Sequence, residues 1–245
     1  MNLIRGWCHE KGVGRDKNQD FMLFNISRIF KCDVCIAVVC DGVGSFKNSE
    51  FASGTVGGII GEWFTRNMDE YNKNTGKKPS VRAIYENLKN TLREELWLAH
   101  KIVTDETAAR GIEAASTVCA MLAVNNLYCV YSSGDSRAYE IGKRIRQLTK
   151  DQVVNIDGRS MLSNCIGCFP GPNVMKLEGK IKKNAAYILA TDGFYKKFYT
   201  AAEAFRDLEK AKTDADMQNI MAGIARYVRD AGEHDDLTGI ALKFI

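Results

Sequence analysis

Three aspartates stand where they could do chemistry. Asp41 ends the apolar run Cys35–Cys40 and is followed by Gly-Val-Gly. Asp135 follows Tyr128–Ser133 and a glycine, and Asp192 follows Tyr187–Thr191 and precedes Gly193. In each case a strand-like run stops at a carboxylate beside a glycine. A strand end holds a side chain rigidly, and glycine lets backbone approach an ion closely. One Asp-Gly pair is an ordinary turn signal. Three at strand ends point to an oxygen-ligand site for hard divalent cations, Mg²⁺ or Mn²⁺. The 3 His (His9, His100, His234) are scattered and offer no clear soft-ligand alternative. The Walker A pattern, the nucleophile elbow and H-E-x-x-H are missing from the chain.

Holding such carboxylates requires strands buried deeply enough to be rigid. Asp33–Cys40 is nearly all apolar, the pattern of a strand covered on both faces. Strands are expected before it at Ile4–Cys8 and Phe21–Ile26, and after it at Thr117–Val124, Leu127–Ser132, Ala138–Ile141 and Arg144–Leu148. Asn125-Asn126 and Gly142-Lys143 read as hairpin turns. Further strands are predicted at Val174–Ile181, Ala186–Ala190 and Leu237–Phe244.

Helical spacing appears in Phe51, Val56, Ile59, Ile60, Trp63 and Phe64, and again from Val81 through Ile84, Leu88, Leu92, Leu96 and Ala99 to Val103. Ser80, behind Pro79, is a natural N-cap for the second run. The polar stretch Tyr71–Lys78 between them reads as a loop, and two more helices are expected near Thr200–Lys210 and Ala215–Asp230. Strands in two clusters with helices between and after them predict an α+β fold, two antiparallel sheets packed as a sandwich and flanked by helix pairs.

Composition sets wider limits. At 245 residues, with 45% hydrophobic and 26% charged residues, the chain can bury a substantial core. Without internal repeats or a linker, one domain over 1–245 is the expectation. Met1–Glu10 lacks the apolar core of a signal peptide and no run is long enough to span a membrane, so a cytoplasmic protein is expected. The net charge of +4 is small, and the basic groups Lys143–Arg146 and Lys182–Lys183 read as solvated turns, not a nucleic-acid surface.

Eight cysteines raise the question of zinc or disulfides. Most lie in apolar runs, where a free thiol behaves as a small hydrophobe. Of the two C-x-x-C pairs, Cys32/Cys35 is a poor chelate because positions i and i+3 of a strand face opposite ways; zinc at it or at Cys165/Cys168 is not expected.

Seven short motifs follow in order: Arg15-Asp-Lys-Asn-Gln-Asp20, Val39-Cys-Asp41-Gly-Val-Gly44, Ala115-Ser-Thr117, Gly134-Asp-Ser-Arg-Ala-Tyr139, Leu148-Thr-Lys-Asp151, Ala190-Thr-Asp192-Gly193 and Asp235-Asp-Leu-Thr238. In this order they resemble the metal-dependent protein phosphatases of the protein phosphatase 2C family, of bacterial type, over about Gly6 to Phe244. The resemblance implies hydrolysis of phosphoserine and phosphothreonine by water activated between two Mn²⁺ or Mg²⁺ ions held at one edge between the sheets. By similarity Asp41 bridges both ions and the Gly42 carbonyl adds a ligand. Asp192 and Asp235 complete the second ion's shell, and Asp20, with Gln19 beside it, holds outer-shell waters. Asp135 with Asp192 matches a weaker third metal site. Arg15 grips the substrate phosphate, a role its guanidinium fork suits.

The implied partners are a phosphorylated protein and an opposing serine/threonine kinase, with no nucleic acid or membrane, and a monomer is expected. Two alternatives remain: a catalytically silent relative serving as a regulatory binding module, and a phosphatase for small phosphorylated metabolites. The second gains from a departure at 151–174, where the family's flap is abbreviated, which suggests an open site. Val43 stands where eukaryotic members often carry His, so no side-chain acid is expected there. Of the adjacent Asp235 and Asp236, only one can face an ion. The motif selects Asp235, and Asp236→Asn is expected to be mild.

Overall fold

The computed structural model describes residues 2–74, 76–168, 170–197 and 202–245. The first half of the chain runs β1 (Leu3–Glu10), β2 (Phe21–Ile29), β3 (Cys32–Cys40), α1 (Ser49–Lys73), α2 (Val81–Arg110), β4 (Val118–Val124) and β5 (Leu127–Ser133). The second runs β6 (Arg137–Ile141), β7 (Ile145–Gln147), β8 (Val153–Ile156), β9 (Arg159–Leu162), β10 (Met175–Lys180) and β11 (Ala186–Ala190). It closes with α3 (Asp192–Tyr195), α4 (Ala202–Asp207), a 3-10 turn at Leu208–Lys210, α5 (Asp214–Asp230) and β12 (Leu237–Phe244).

The period of two in the central strands builds the layers. Along β3, Val34, Ile36, Val38 and Cys40 enter one apolar cluster, whereas Cys35, Ala37 and Val39 enter another. Strand β4 splits the same way, Val118, Ala120, Leu122 and Val124 against Cys119, Met121 and Ala123. One cluster is the contact with α1 and α2; the other lies between the two sheets and includes Tyr187, Leu189, Ile240 and Leu242 from the opposite sheet. A third cluster joins the outer face of that second sheet to α4 and α5 through Phe205, Met217, Met221 and Ile224. The result is the expected antiparallel sandwich in four layers. Truncating a fully buried side chain such as Leu122 would cost ~2–5 kcal/mol.

All strand pairs are antiparallel, in the orders β10-β5-β4-β3-β2 and β1-β12-β11-β6-β7. Helix ends follow local chemistry. Ser80 caps α2 by accepting the Ala83 amide at 3.1 Å, and Gly111 ends it at φ 62°. A capping box between Thr213 and Asp216 starts α5. The helix expected at Thr200–Lys210 is α4 with the 3-10 turn, and its positions Thr200 and Ala201 lie outside the described residues. Among the described residues no helix is long and apolar enough to cross a membrane. Cys32 joins the helix-side cluster and Cys35 the inter-sheet one, opposite faces as the strand pitch demands.

One segment departs from expectation. The stretch after Asp151, where no strand was predicted, forms a separate two-stranded hairpin, β8–β9, with Val153 paired to Leu162 and Ile156 to Arg159. Its residues are almost all exposed, so no burial pattern marks it in the sequence.

Candidate active site

Four chain segments deliver carboxylates to one edge of the sandwich. Asp41 leaves β3, Asp135 lies between β5 and β6, Asp192 opens α3 directly after β11, and Asp235 precedes β12. Together with Arg15, Gly42, Thr117 and the hairpin residues Val153, Ser160 and Leu162, they line a cavity of about 230 Å³. The β8–β9 hairpin therefore lines one side of the site, where an open site was expected.

The backbone at Asp41 and Asp135 is braced from behind. The Asp41 amide donates to Thr117 Oγ1 at 3.0 Å, and the Asp41 carbonyl accepts from the Thr117 amide at 2.8 Å and Ser116 Oγ at 3.0 Å. Thr117 Oγ1 lies 2.7 Å from Ser136 Oγ, which ties Asp41 to the Asp135 turn. That turn is held by Tyr195, whose hydroxyl donates to the Asp135 carbonyl at 2.8 Å. Arg137 stacks 3.9 Å from the Tyr195 ring and donates to Asp151 at 2.6 and 2.9 Å. The Gln152 side chain accepts the Gly134 amide at 2.8 Å, anchoring the β8–β9 hairpin to the same turn.

The glycines beside the carboxylates are needed for close approach. A Cβ at Gly193 would sit 2.1 Å from the Asp236 carbonyl and 3.1 Å from Asp235 Cβ. A Cβ at Gly42 would meet the Gln19 carbonyl at 2.6 Å. Only glycine lets these turns pack against their neighbours.

Asp20 lies deeper. It is buried and accepts from Thr191 Oγ1 at 2.8 Å. Burial pushes its carboxyl up to about 7, against the opposing hydrogen bonds from Thr238 and Thr191. Asp135 is also pushed up to about 7, by burial first and then by Asp192 and Asp151. Asp41 is raised well above the carboxylate range by burial and by Asp20, Asp192, Asp135 and Asp235. Carboxylates that repel one another in this way gain from a multivalent cation.

Arg15 and Lys196 bring positive charge to these aspartates. Arg15 Nη2 lies 2.5 Å from Asp235, and Nη1 lies 3.1 Å from both Asp236 and Gln19 Oε1. Lys196 Nζ lies 2.9 Å from Asp192 and 3.5 Å from Asp235. Among the described residues no three His, Cys, Asp or Glu side chains close on one point. The aspartates line the basin, and two of them are engaged by these cations. The donor set is nonetheless all oxygen, converging from four segments on one cavity, and its chemistry fits hard divalent ions.

A model of the protein phosphatase 2C family matches residues 13–235. The chain belongs to the protein phosphatase 2C family. That makes it a serine/threonine protein phosphatase by class, in a family that is metal-dependent, generally on Mn²⁺ or Mg²⁺, and acts on phosphoproteins. A Mycoplasma genitalium protein, provisionally named a protein phosphatase, is 26% identical over 205 residues, 76% of this chain and 75% of its own. The fold is shared with serine/threonine phosphatase Stp1 from Staphylococcus aureus, at TM-score 0.78 and 18% identity, covering 100% of this chain and 96% of that one. It is shared too with the Ser-Thr phosphatase MsPP from Mycobacterium smegmatis, at TM-score 0.72 and 18% identity, covering 98% of each chain.

Within this phosphatase, one expectation changes. Asp236 is not an interchangeable neighbour of Asp235. It is 2% exposed and accepts from the Gly12 amide at 2.6 Å, the Gln19 amide at 2.8 Å and Arg15 Nη1 at 3.1 Å. It turns away from the basin while Asp235 lines it. Sequence reasoning also passed over Thr191, Arg137, Tyr195 and Lys196. Thr191 and Arg137 lie inside two of the ordered motifs, and Lys196 stands at helical spacing, four residues after Asp192.

Proposed function

We propose that this basin hydrolyses phosphoserine and phosphothreonine in proteins with a dinuclear Mn²⁺ or Mg²⁺ centre, the chain acting as one phosphatase domain with a shortened flap. Asp41, the Gly42 carbonyl, Asp192 and Asp235 would hold the two ions, with Asp20 behind them and Asp135 with Asp192 serving a weaker third. When bound, the ions supply charge neutralisation and an activated water, which a phosphate monoester needs because its uncatalysed hydrolysis is among the slowest known.

The chain's own residues do the rest. Arg15 binds two phosphate oxygens through its guanidinium fork. Its aim is set by Asp236 and Gln19, which hold Nη1. Asp41, whose carboxyl burial and the neighbouring aspartates push up, would be favoured as a carboxylate by the cations it would hold. Val43 carries no acidic proton, so it cannot protonate the leaving oxygen. The hairpin residues Val153 and Leu162 limit water around the phosphate and press on the peptide flanking it. Its substrate would be a protein phosphorylated by a serine/threonine kinase, and the eight free cysteines suit a reducing compartment such as the cytoplasm.

What carries this reading is the meeting of four aspartates from four segments with one guanidinium in a single cavity. The test is turnover of a phosphothreonine peptide and a set of sugar phosphates by purified protein with Mn²⁺, with chelator, and as Asp41→Ala. Peptide turnover that needs Mn²⁺ and falls at least roughly a hundredfold in the variant is expected. Turnover surviving chelation sinks the two-ion mechanism. Preference for a sugar phosphate would make it a metabolite phosphatase, and silence on all substrates a binding module.

A further inference from the structure

Lys196 reaches two aspartates of the basin without a place in the chemistry above. Its backbone amide donates to the Asp192 carbonyl at 2.8 Å, so it continues the turn of α3 and shares a helix face with Asp192. Its ammonium group lies 2.9 Å from Asp192 Oδ2 and 3.5 Å from Asp235 Oδ2. Gly193 allows the loop before β12 to come this close, so one side chain reaches carboxylates that are 43 positions apart in the chain. Burial disfavours its charge, but Asp192, then Asp235 and Glu233, outweigh that and hold the ammonium pKa above its usual value. The side chain is 43% exposed, so solvent can receive it if it leaves.

We propose that Lys196 is a tethered counter-cation that neutralises Asp192 and Asp235, competes with divalent ions for them, and so sets the metal concentration at which the phosphatase fills. This rests on the reading of those two aspartates as ligands. A carboxylate oxygen serving an ammonium group at 2.9 Å cannot also serve a divalent ion without bringing the two cations into repulsion. Even with the screening of bulk water, a single and a double positive charge about 5 Å apart repel enough for roughly a tenfold change in affinity. The same ammonium offsets repulsion within the aspartate cluster, so the chain folds before any ion arrives. Arg15 cannot take over this role, because its Nη1 is tied to Asp236 and Gln19 and its Nη2 reaches Asp235 alone among the basin aspartates.

The experiment is titration of chelator-treated protein with Mn²⁺ by calorimetry, for wild type, Lys196→Met and Lys196→Arg. Lys196→Met should bind roughly tenfold more tightly and, without metal, melt lower than wild type, while Lys196→Arg stays within about twofold. In wild-type protein, labelling of Lys196 by an amine-reactive ester, read by mass spectrometry, should rise along the same Mn²⁺ titration. Unchanged or weaker Mn²⁺ binding in Lys196→Met, or labelling indifferent to Mn²⁺, overturns the proposal while leaving the phosphatase reading intact. Wild-type protein that binds no Mn²⁺ at millimolar concentration overturns both.

Discussion

Asp236 Oδ1 accepts the backbone amide of Gly12 at 2.6 Å across 224 positions of chain. Its other oxygen takes the Gln19 amide and Arg15 Nη1, so a single carboxylate sets the entry of the Arg15–Asp20 segment into the site. An asparagine there keeps one oxygen but turns an NH₂ group towards an amide donor. Asp236→Asn should therefore destabilise the protein by about 1–3 kcal/mol and loosen Arg15. Thermal melting with Mn²⁺ present, together with KM for a phosphopeptide, measures both. A variant with wild-type melting and KM would show the three bonds to be dispensable.

Asp20 should make the metal-stripped protein less stable as pH rises. Its folded pKa of about 7 lies above the ordinary 3.8, so the folded state holds the proton more tightly than the unfolded one. The stability this gives is fully present below about 3.8 and is lost as pH climbs through about 7. Asp20→Asn cannot ionise and escapes that loss. In chelator, the melting temperature of Asp20→Asn relative to wild type should rise from pH 5 to about pH 7 and level off above it. His9 and His100, whose pKa values burial lowers, titrate alike in both proteins and cancel. A flat difference over that range would remove Asp20 from the electrostatics of the site.

The β8–β9 hairpin can be cut away cleanly. Val153 and Leu162 face each other as its first pair, so a Gly-Gly link between Gln152 and Ser163 closes the gap. Gln152 and Asn164, which anchor the base to Gly134 and Ser133, are retained. Hydrolysis of p-nitrophenyl phosphate should stay within a few-fold of wild type, while kcat/KM for a phosphothreonine peptide drops roughly tenfold. Equal losses on both substrates would assign the hairpin to the chemistry itself.

The sequence by itself determined the sandwich and the places where carboxylates leave it. Strand β3 shows why: each residue from Val34 to Cys40 is buried, and alternate ones enter opposite clusters, a pattern written in seven adjacent positions. Asp41, Asp135 and Asp192 were readable because each stands where an apolar run ends beside a glycine, which needs no knowledge of distant residues, whereas Asp235 was legible only through the motif it shares with a known family. Hairpin β8–β9 was not readable, since its exposed side chains leave no burial period to detect. The partners of the site residues were decided by the tertiary structure alone. Thr191 reaches Asp20 across 171 positions, Arg15 reaches Asp236 across 221, and Lys196 reaches Asp235 across 39. Local periodicity records what a residue's own strand or helix demands of it. A hydrogen bond or ion pair between elements depends on how sheets stack and loops meet, which no window of neighbouring residues contains.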